Sequence, residues 1–354
     1  MQIHATNVKG LGAIQVVKSF LDAWENREDI LGTRVFLPES GDLSFYSSKK
    51  SEIVLFKRYL PSAISRVFEC YFAKAYFRNE LTIVLGDIPL RGISEQVVLV
   101  HHPYIAYPKV NEFSSRSLKA RLMRLIFRSN LKYAKRILVQ TAAMGSDLIK
   151  SYPEIQDRLI ICPQPPPNWL QKASRKSDKR STDLISLFYP ATYSPYKNHD
   201  FLEKINSYAI SKKRDLTGIE IKLTLNEAEF EKYQCISFVK NLGRLSPAQM
   251  NLEYQKTDAL IFLSSLETYG LPLVEALTLE LPILTADFDY SRWICGDEGY
   301  YFKHGNEESF FKALNKLIED LRSDKVYDYR SLLEKFPKSW DSVVDVYYNE
   351  LTRK

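Results

Sequence analysis

The chain has 354 residues, 45% hydrophobic and 26% charged, the balance of a folded soluble protein, which excludes a disordered chain, a collagen-like repeat and a small disulfide scaffold. At about 150 residues per domain the length suggests two domains, and the net charge of +6 is mild. No uncharged apolar run approaches the roughly 20 residues that cross a bilayer, and residues 1–8 lack the basic and apolar regions of a signal peptide, so a cytoplasmic location is expected.

In chain order, short apolar segments alternate with longer helical patterns. Strands are predicted at 1–6, 34–38, 81–85, 96–100, 136–140 and 159–162, with helices including 13–24 and 117–134. Four prolines then fall within 163–167, and 171–180 holds five basic residues with almost nothing apolar, the composition of a linker. The alternation restarts with strands at 184–189, 219–225, 236–239, 259–263 and 281–285, and helices at 200–209, 247–255, 272–278 and 308–321. Strands that alternate with helices argue for parallel sheets built from βαβ units. The predicted organisation is a first domain over 1–168, a linker over 169–182, a second domain over 183–338 and a C-terminal helix over 339–354 that packs back on the first domain. Cys70, Cys162, Cys235 and Cys295 are widely spaced, without a CxxC or a Cys/His ligand pattern; four reduced thiols are expected.

The strongest chemical signal follows the apolar segment that ends near Leu263. A loop carries Glu267 and Gly270, Pro272 stands where a helix begins, and Glu275 follows in its first turns. Proline is tolerated at a helix start because its missing N–H has no partner there. A glycine loop feeding a helix N-terminus presents backbone N–H groups and a positive dipole end to an anion such as phosphate. Two carboxylates beside such a site can accept hydrogen bonds from paired hydroxyls. That combination suits a molecule with a ribose at one end and a sugar at the other.

The Glu-x7-Glu stretch from Glu267 to Glu275, followed by Leu281, Pro282 and Ile283, resembles the family-4 retaining glycosyltransferases of the GT-B fold. Tyr189 to Thr192 with Lys197, Asn198 and His199 resembles the same family, as do Phe238 to Ser246, the Gly86-Asp87-Ile88-Pro89 segment and His101-His102-Pro103. The resemblance implies an α/β fold of two Rossmann-like parallel-sheet domains facing each other across a cleft. It implies that Glu267 contacts the transferred sugar and that Glu275 holds the ribose hydroxyls. Tyr269, Gly270 and Leu271 would bind the diphosphate through their backbone, and Lys197 would neutralise it as it leaves. Gly12, in the Gly10-Leu11-Gly12 loop, would approach the phosphate from the first domain, and one of His101 and His102 would face the sugar. Thr192, Gly243, Arg244 and Leu245 would complete the donor site. No metal or other cofactor is implied. Many members carry an arginine five or six residues before the lysine; here Thr192 and Ala191 stand there, so either Lys197 and the helix-end amides suffice or another cation, such as Arg244 or a residue outside the motif, takes that place.

Residues 116–136 contain eight Lys or Arg and no acid. Arg121, Arg124, Arg128, Lys132 and Lys135 recur at helical spacing beside an apolar stripe of Leu118, Leu122, Leu125 and Ile126. Such a helix can be a solvated face or can lie on anionic lipid. The resulting expectation is a retaining, metal-independent transferase at the inner face of the cytoplasmic membrane. Its donor is a nucleoside-diphosphate sugar, its acceptor a lipid-linked oligosaccharide of surface polysaccharide such as O-antigen, and nucleic acid is not a partner. A nucleotide-sugar epimerase on the same fold, or a two-domain sugar-binding protein without chemistry, remains as an alternative.

Overall fold

A computed structural model describes residues 1–8, 10–29, 32–59, 62–107, 118–171, 184–323 and 325–353. The chain falls into two compact units, Met1–Pro165 with Phe336–Lys354, and Pro166–Lys335. The expected linker lies outside the described residues from 172 onward, as do 116 and 117 of the basic stretch.

The first unit contains strands β1 (Gln2–His4), β2 (Arg34–Pro38), β3 (Glu52–Phe56), β4 (Thr82–Val84), β5 (Gln96–Leu99), β6 (Ala134–Val139) and β7 (Leu159–Ile161). They form one parallel sheet in the order β3-β2-β1-β4-β5-β6-β7. The second unit contains β8 (Ile185–Tyr189), β9 (Ile219–Leu223), β10 (Val239–Asn241), β11 (Ala259–Phe262), β12 (Ile283–Ala286) and β13 (Tyr300–Phe302). Its parallel order, β10-β9-β8-β11-β12-β13, repeats that of the first six strands of unit one. Both sheets therefore have the doubly wound order with a switch point beside their first strand. The central strands β8, β11 and β12 are buried at every residue, as their unbroken apolar runs require when helices cover both faces of a parallel sheet.

The last helix, Trp340–Thr352, belongs to the first unit. Val343, Val344, Tyr347 and Leu351 are its buried face. The Tyr347 ring meets Phe20 edge-on at 5.0 Å. Arg27 lies 4.1 Å from the centre of the Tyr348 ring and pairs with Asp345, so charge and ring contacts add to the apolar seam.

Two strands were not anticipated. β3 is a half-buried edge strand flanked by lysines, so it lacks the strong alternation that marks a sheet face. β13 has three residues, too few for a pattern to register. The strand expected at 236–239 lies instead at Val239–Asn241. Ile236 and Phe238 are buried in the turn before it, where the Phe238 carbonyl already accepts the Ile221 N–H of β9 at 2.7 Å, so the apolar run marks the entry to the strand. The basic helix ends at Asn130, because the buried Asn130 amide donates to the carbonyls of Cys70 and Pro89 and ties the chain down. Lys132 then lies in a 3-10 turn and Lys135 at the start of β6, where it pairs with Glu95. These two are not on the face shared by Arg121, Arg124 and Arg128. The expected apolar stripe also divides: Ile126 is in the core, whereas Leu118, Leu122 and Leu125 are exposed.

Candidate active site

A parallel sheet sends all its carboxyl ends to one edge, and ligands of such sheets bind there. In the second unit the loops after β8 and β11, neighbours at the switch point, are locked together. The Tyr196 carbonyl accepts the Ser265 N–H at 2.7 Å and the Ser264 and Ser265 hydroxyls at 3.2 and 3.1 Å. Asn198, in the left-handed region at φ 56°, donates through Nδ2 to the Leu263 carbonyl at 3.3 Å. The buried Tyr189 hydroxyl donates to the Lys197 carbonyl at 2.5 Å. This scaffold joins Lys197 and Glu267 in an ion pair, both side chains mostly buried. Lys197 Nζ also lies 5.6 Å from the centre of the Phe262 ring. Thr192 sits half-buried on the same loop.

Beyond Glu267 the chain turns at Gly270, whose φ of +85° and N-cap position precede the helix Leu271–Thr278. A side chain there would be strained and would press on Leu273 Cδ1 at 3.2 Å. Tyr269 is buried just before the turn, and Leu271 opens the helix. Glu275 lies one turn in, 5% exposed, and its Oε2 accepts the hydroxyl of the buried Tyr254 at 2.5 Å. Burial raises its pKa to about 7, against the lowering effect of the Tyr254 hydrogen bond. The carboxyl is therefore poised between its two protonation states near neutral pH.

After β10, Gly243 takes φ +71° and Leu245 is half-buried. Arg244 grips Glu229 with one guanidinium nitrogen at 3.0 and 2.8 Å from the two carboxylate oxygens. His199, 1% exposed, lies with its ring tilted against that of Tyr189, centroids 4.9 Å apart. Burial first, and then the charge of Lys197, lower its pKa to about 4, so it stays neutral beside the lysine.

The first unit has its own carboxyl edge. Gly10 caps the helix Leu11–Glu25 after β1, and Gly12 is exposed in its first turn. His101 and His102 follow β5. The buried Asp87, at φ 71°, accepts both of their backbone N–H groups at 2.7 Å. The two rings then differ. His102 Nδ1 accepts the Tyr104 N–H at 3.3 Å and caps the short helix Pro103–Ala106, whereas His101 Nδ1 stands 3.7 Å from the Asp87 carboxylate.

Within the second unit, Thr192, Lys197, Gly243, Arg244, Leu245, Glu267, Tyr269 and Gly270 lie on loops leaving one sheet edge, with Leu271 at the start of the following helix and Glu275 behind them. Gly12, His101 and His102 share the corresponding edge of the first unit. Sequence reasoning did not find Tyr254, whose partner is 21 positions away with no motif between them, nor the anchoring roles of Asn198 and Asp87. Among the described residues, no group of three His, Cys, Asp or Glu side chains is placed to hold a metal.

Residues 171–331 match the sequence profile of the family described as "Glycosyl transferases group 1". A curated relative described as "Probable sucrose-phosphate synthase", from Thermosipho melanesiensis, is 22% identical over 313 residues, 80% of this chain and 72% of its own. Among solved structures, WaaG, a glycosyltransferase involved in lipopolysaccharide biosynthesis, superposes with a TM-score of 0.72 at 16% identity over 100% of both chains. Anabaena HepE in complex with UDP and glucose superposes with a TM-score of 0.70 at 14% identity, covering 100% of this chain and 99% of that one. The chain thus has the GT-B fold, and its residues 171–331 are similar to the group 1 glycosyl transferases.

Proposed function

We propose that the protein moves a sugar, with retention of configuration and without a metal, from a nucleoside-diphosphate sugar to a lipid-linked oligosaccharide of a surface polysaccharide. The observation that carries this is the Lys197–Glu267 pair, fixed beside the N-terminus of the helix Leu271–Thr278. Donor binding exchanges partners. Lys197 turns to the diphosphate, where it joins the amides of Tyr269, Gly270 and Leu271, and Glu267 is released to the sugar hydroxyls. Glu275, steadied by Tyr254, accepts from the ribose.

The anomeric C–O bond to the diphosphate breaks as the acceptor oxygen bonds to the same face. The acceptor proton passes to the departing diphosphate oxygen. Catalysis is then positioning and charge stabilisation, with Lys197 and the helix amides meeting the charge that develops. The first unit holds the acceptor, with His101 and His102 at its carboxyl edge. The relatives support this reading: WaaG is involved in lipopolysaccharide biosynthesis, and HepE was solved with UDP and glucose.

A peripheral position at the inner membrane face is supported by two touching helices, Ser62–Tyr71 and Leu118–Asn130. They expose Ile64, Phe68, Leu118 and Leu125 beside Arg121 and Arg128, the composition of an interfacial surface. No helix among the described residues is long and apolar enough to cross a membrane.

The test is a thermal-shift panel of UDP, GDP, ADP, CDP and dTDP, followed by NMR of the product formed from the matching sugar donors. One stabilising nucleotide and an unchanged anomeric configuration are expected. An altered sugar released from donor alone would identify an epimerase, and an inverted product would overturn the retaining mechanism.

A further inference from the structure

The first unit holds a buried charged cluster that the reaction described above does not use. It sits at the carboxyl end of the sheet, at the switch point between β1 and β4. His4 and Thr6 come from the end of β1, Gly86 follows β4, Arg58 follows β3, and Arg66 and Glu69 come from the helix Ser62–Tyr71.

Glu69 is 1% exposed and is the hub. Its Oε1 meets His4 Nε2 at 2.7 Å and accepts the Thr6 hydroxyl. Its Oε2 accepts Arg58 Nη2 at 2.7 Å and lies 3.2 Å from Arg66 Nη1. Arg58 Nη2 also reaches Thr6 at 3.1 Å. Arg66 Nη2 donates to the Gly86 carbonyl at 2.6 Å, which Asn7 shares at 3.3 Å. Burial works against the Glu69 charge, but Arg66, the His4 hydrogen bond and Arg58 outweigh it and keep the carboxyl well below its usual range. Burial lowers His4, which stays neutral. Two guanidinium groups thus share the Glu69 carboxylate, and Arg66 also feels the charge of Asp87.

The donors are not used up. Arg58 Nε and Arg66 Nε are buried without a hydrogen-bond partner, and Arg66 Nη1 has only its ion pair with Glu69. Unfilled charged donors are costly inside a protein. Both arginines retain a narrow exposed margin, 13% and 12%, so the cluster is reachable from outside. A guanidinium fork matches a carboxylate or a phosphate, and the switch point of a doubly wound sheet is where a ligand lies.

We propose that Arg58 and Arg66 form an anion-reading subsite, so that the acceptor of this enzyme carries a carboxylate or a phosphate beside the sugar that is extended. The inference rests on the first unit being the acceptor side. Arg58 is the specificity contact, and Glu69 holds both forks in place.

The test uses the full chain and three soluble probes: octyl glucoside, octyl glucuronide and octyl glucoside 6-phosphate. Binding to wild type, Arg58→Gln and Arg58→Lys is measured by calorimetry. Wild type is expected to bind one of the charged probes about tenfold more tightly than the neutral one, the worth of one charge-assisted hydrogen bond. Which charged probe binds better separates carboxylate from phosphate. Arg58→Gln should erase the preference and Arg58→Lys should recover part of it. A wild type indifferent to charge, or a preference unchanged in Arg58→Gln, overturns the proposal. The nucleotide-induced thermal shift identifies folded variants; if Arg58→Gln lacks it, Arg58→Lys, which keeps the charge but not the fork, decides. Absence of transfer from every nucleotide sugar would overturn the transferase reading, and the binding comparison would still decide the subsite.

Discussion

The Glu275 carboxyl offers the sharpest test, because its burial and its proposed ribose contact pull its titration in opposite directions. Without ligand, the fold raises its pKa from 4.5 to about 7. The folded state then holds the proton more tightly than the unfolded chain. This group's contribution to stability is fully present below pH 4.5 and is lost as the pH rises through 7, a change of about 3 kcal/mol at most. Glu275→Gln keeps an acceptor for Tyr254 and has nothing to ionise. The unliganded variant should match wild type near pH 4.5 and exceed it at pH 8.

Ribose hydroxyls donate, so nucleotide binding selects the ionised form. A carboxyl with a pKa of about 7 is ionised in about 3% of molecules at pH 5.5 and about 90% at pH 8, so wild-type nucleotide affinity should rise about 30-fold across that range. The diphosphate titrates in both proteins, and the ratio of wild-type to Glu275→Gln dissociation constants removes its effect. Calorimetry in buffers of different ionisation enthalpy should also show more proton release on binding near pH 6 in wild type than in Glu275→Gln. A ratio that stays flat from pH 5.5 to 8 would refute both the buried titration and the ribose contact.

Other predictions concern the neighbouring groups. Lys197→Ala should weaken binding of the nucleoside diphosphate by about 1.5–3 kcal/mol, the worth of a hydrogen bond to a charged group, and that of the corresponding monophosphate by much less; equal losses in calorimetry would remove Lys197 from the diphosphate. Glu267→Gln should lower kcat more than it weakens nucleoside diphosphate binding, because its proposed partner is the sugar; parallel losses would count against this. Replacing Arg121, Arg124 and Arg128 together with Glu should reduce co-sedimentation with anionic liposomes, since each basic group near such a surface adds about 1 kcal/mol. Undiminished sedimentation at physiological salt would rule out this helix as the membrane face.

Several features were legible because they are local. The glycine and proline that precede and open the helix Leu271–Thr278 and the long apolar runs of β8, β11 and β12 each involve a few consecutive residues. Ser246 with Gln249 and Asn226 with Glu229 form capping boxes within four residues. Edge strands were harder. β3 and β10 are short and partly polar, and only their neighbours make them strands.

The sequence by itself determined the two-fold α/β alternation, the parallel sheets and the loop that carries Glu267 and Gly270, because periodicity and turn chemistry act over a few residues. Tertiary structure decided who holds whom. Lys197 meets Glu267 across 70 positions, Tyr254 meets Glu275 across 21, and Glu69 gathers His4 and Arg58 from separate elements. It also decided that the leucines of the helix Leu118–Asn130 face outward while Ile126 and Phe127 face the core. These pairings depend on where parallel strands set down their loops, and burial then sets the charge each side chain carries; neither is encoded in any short stretch of chain.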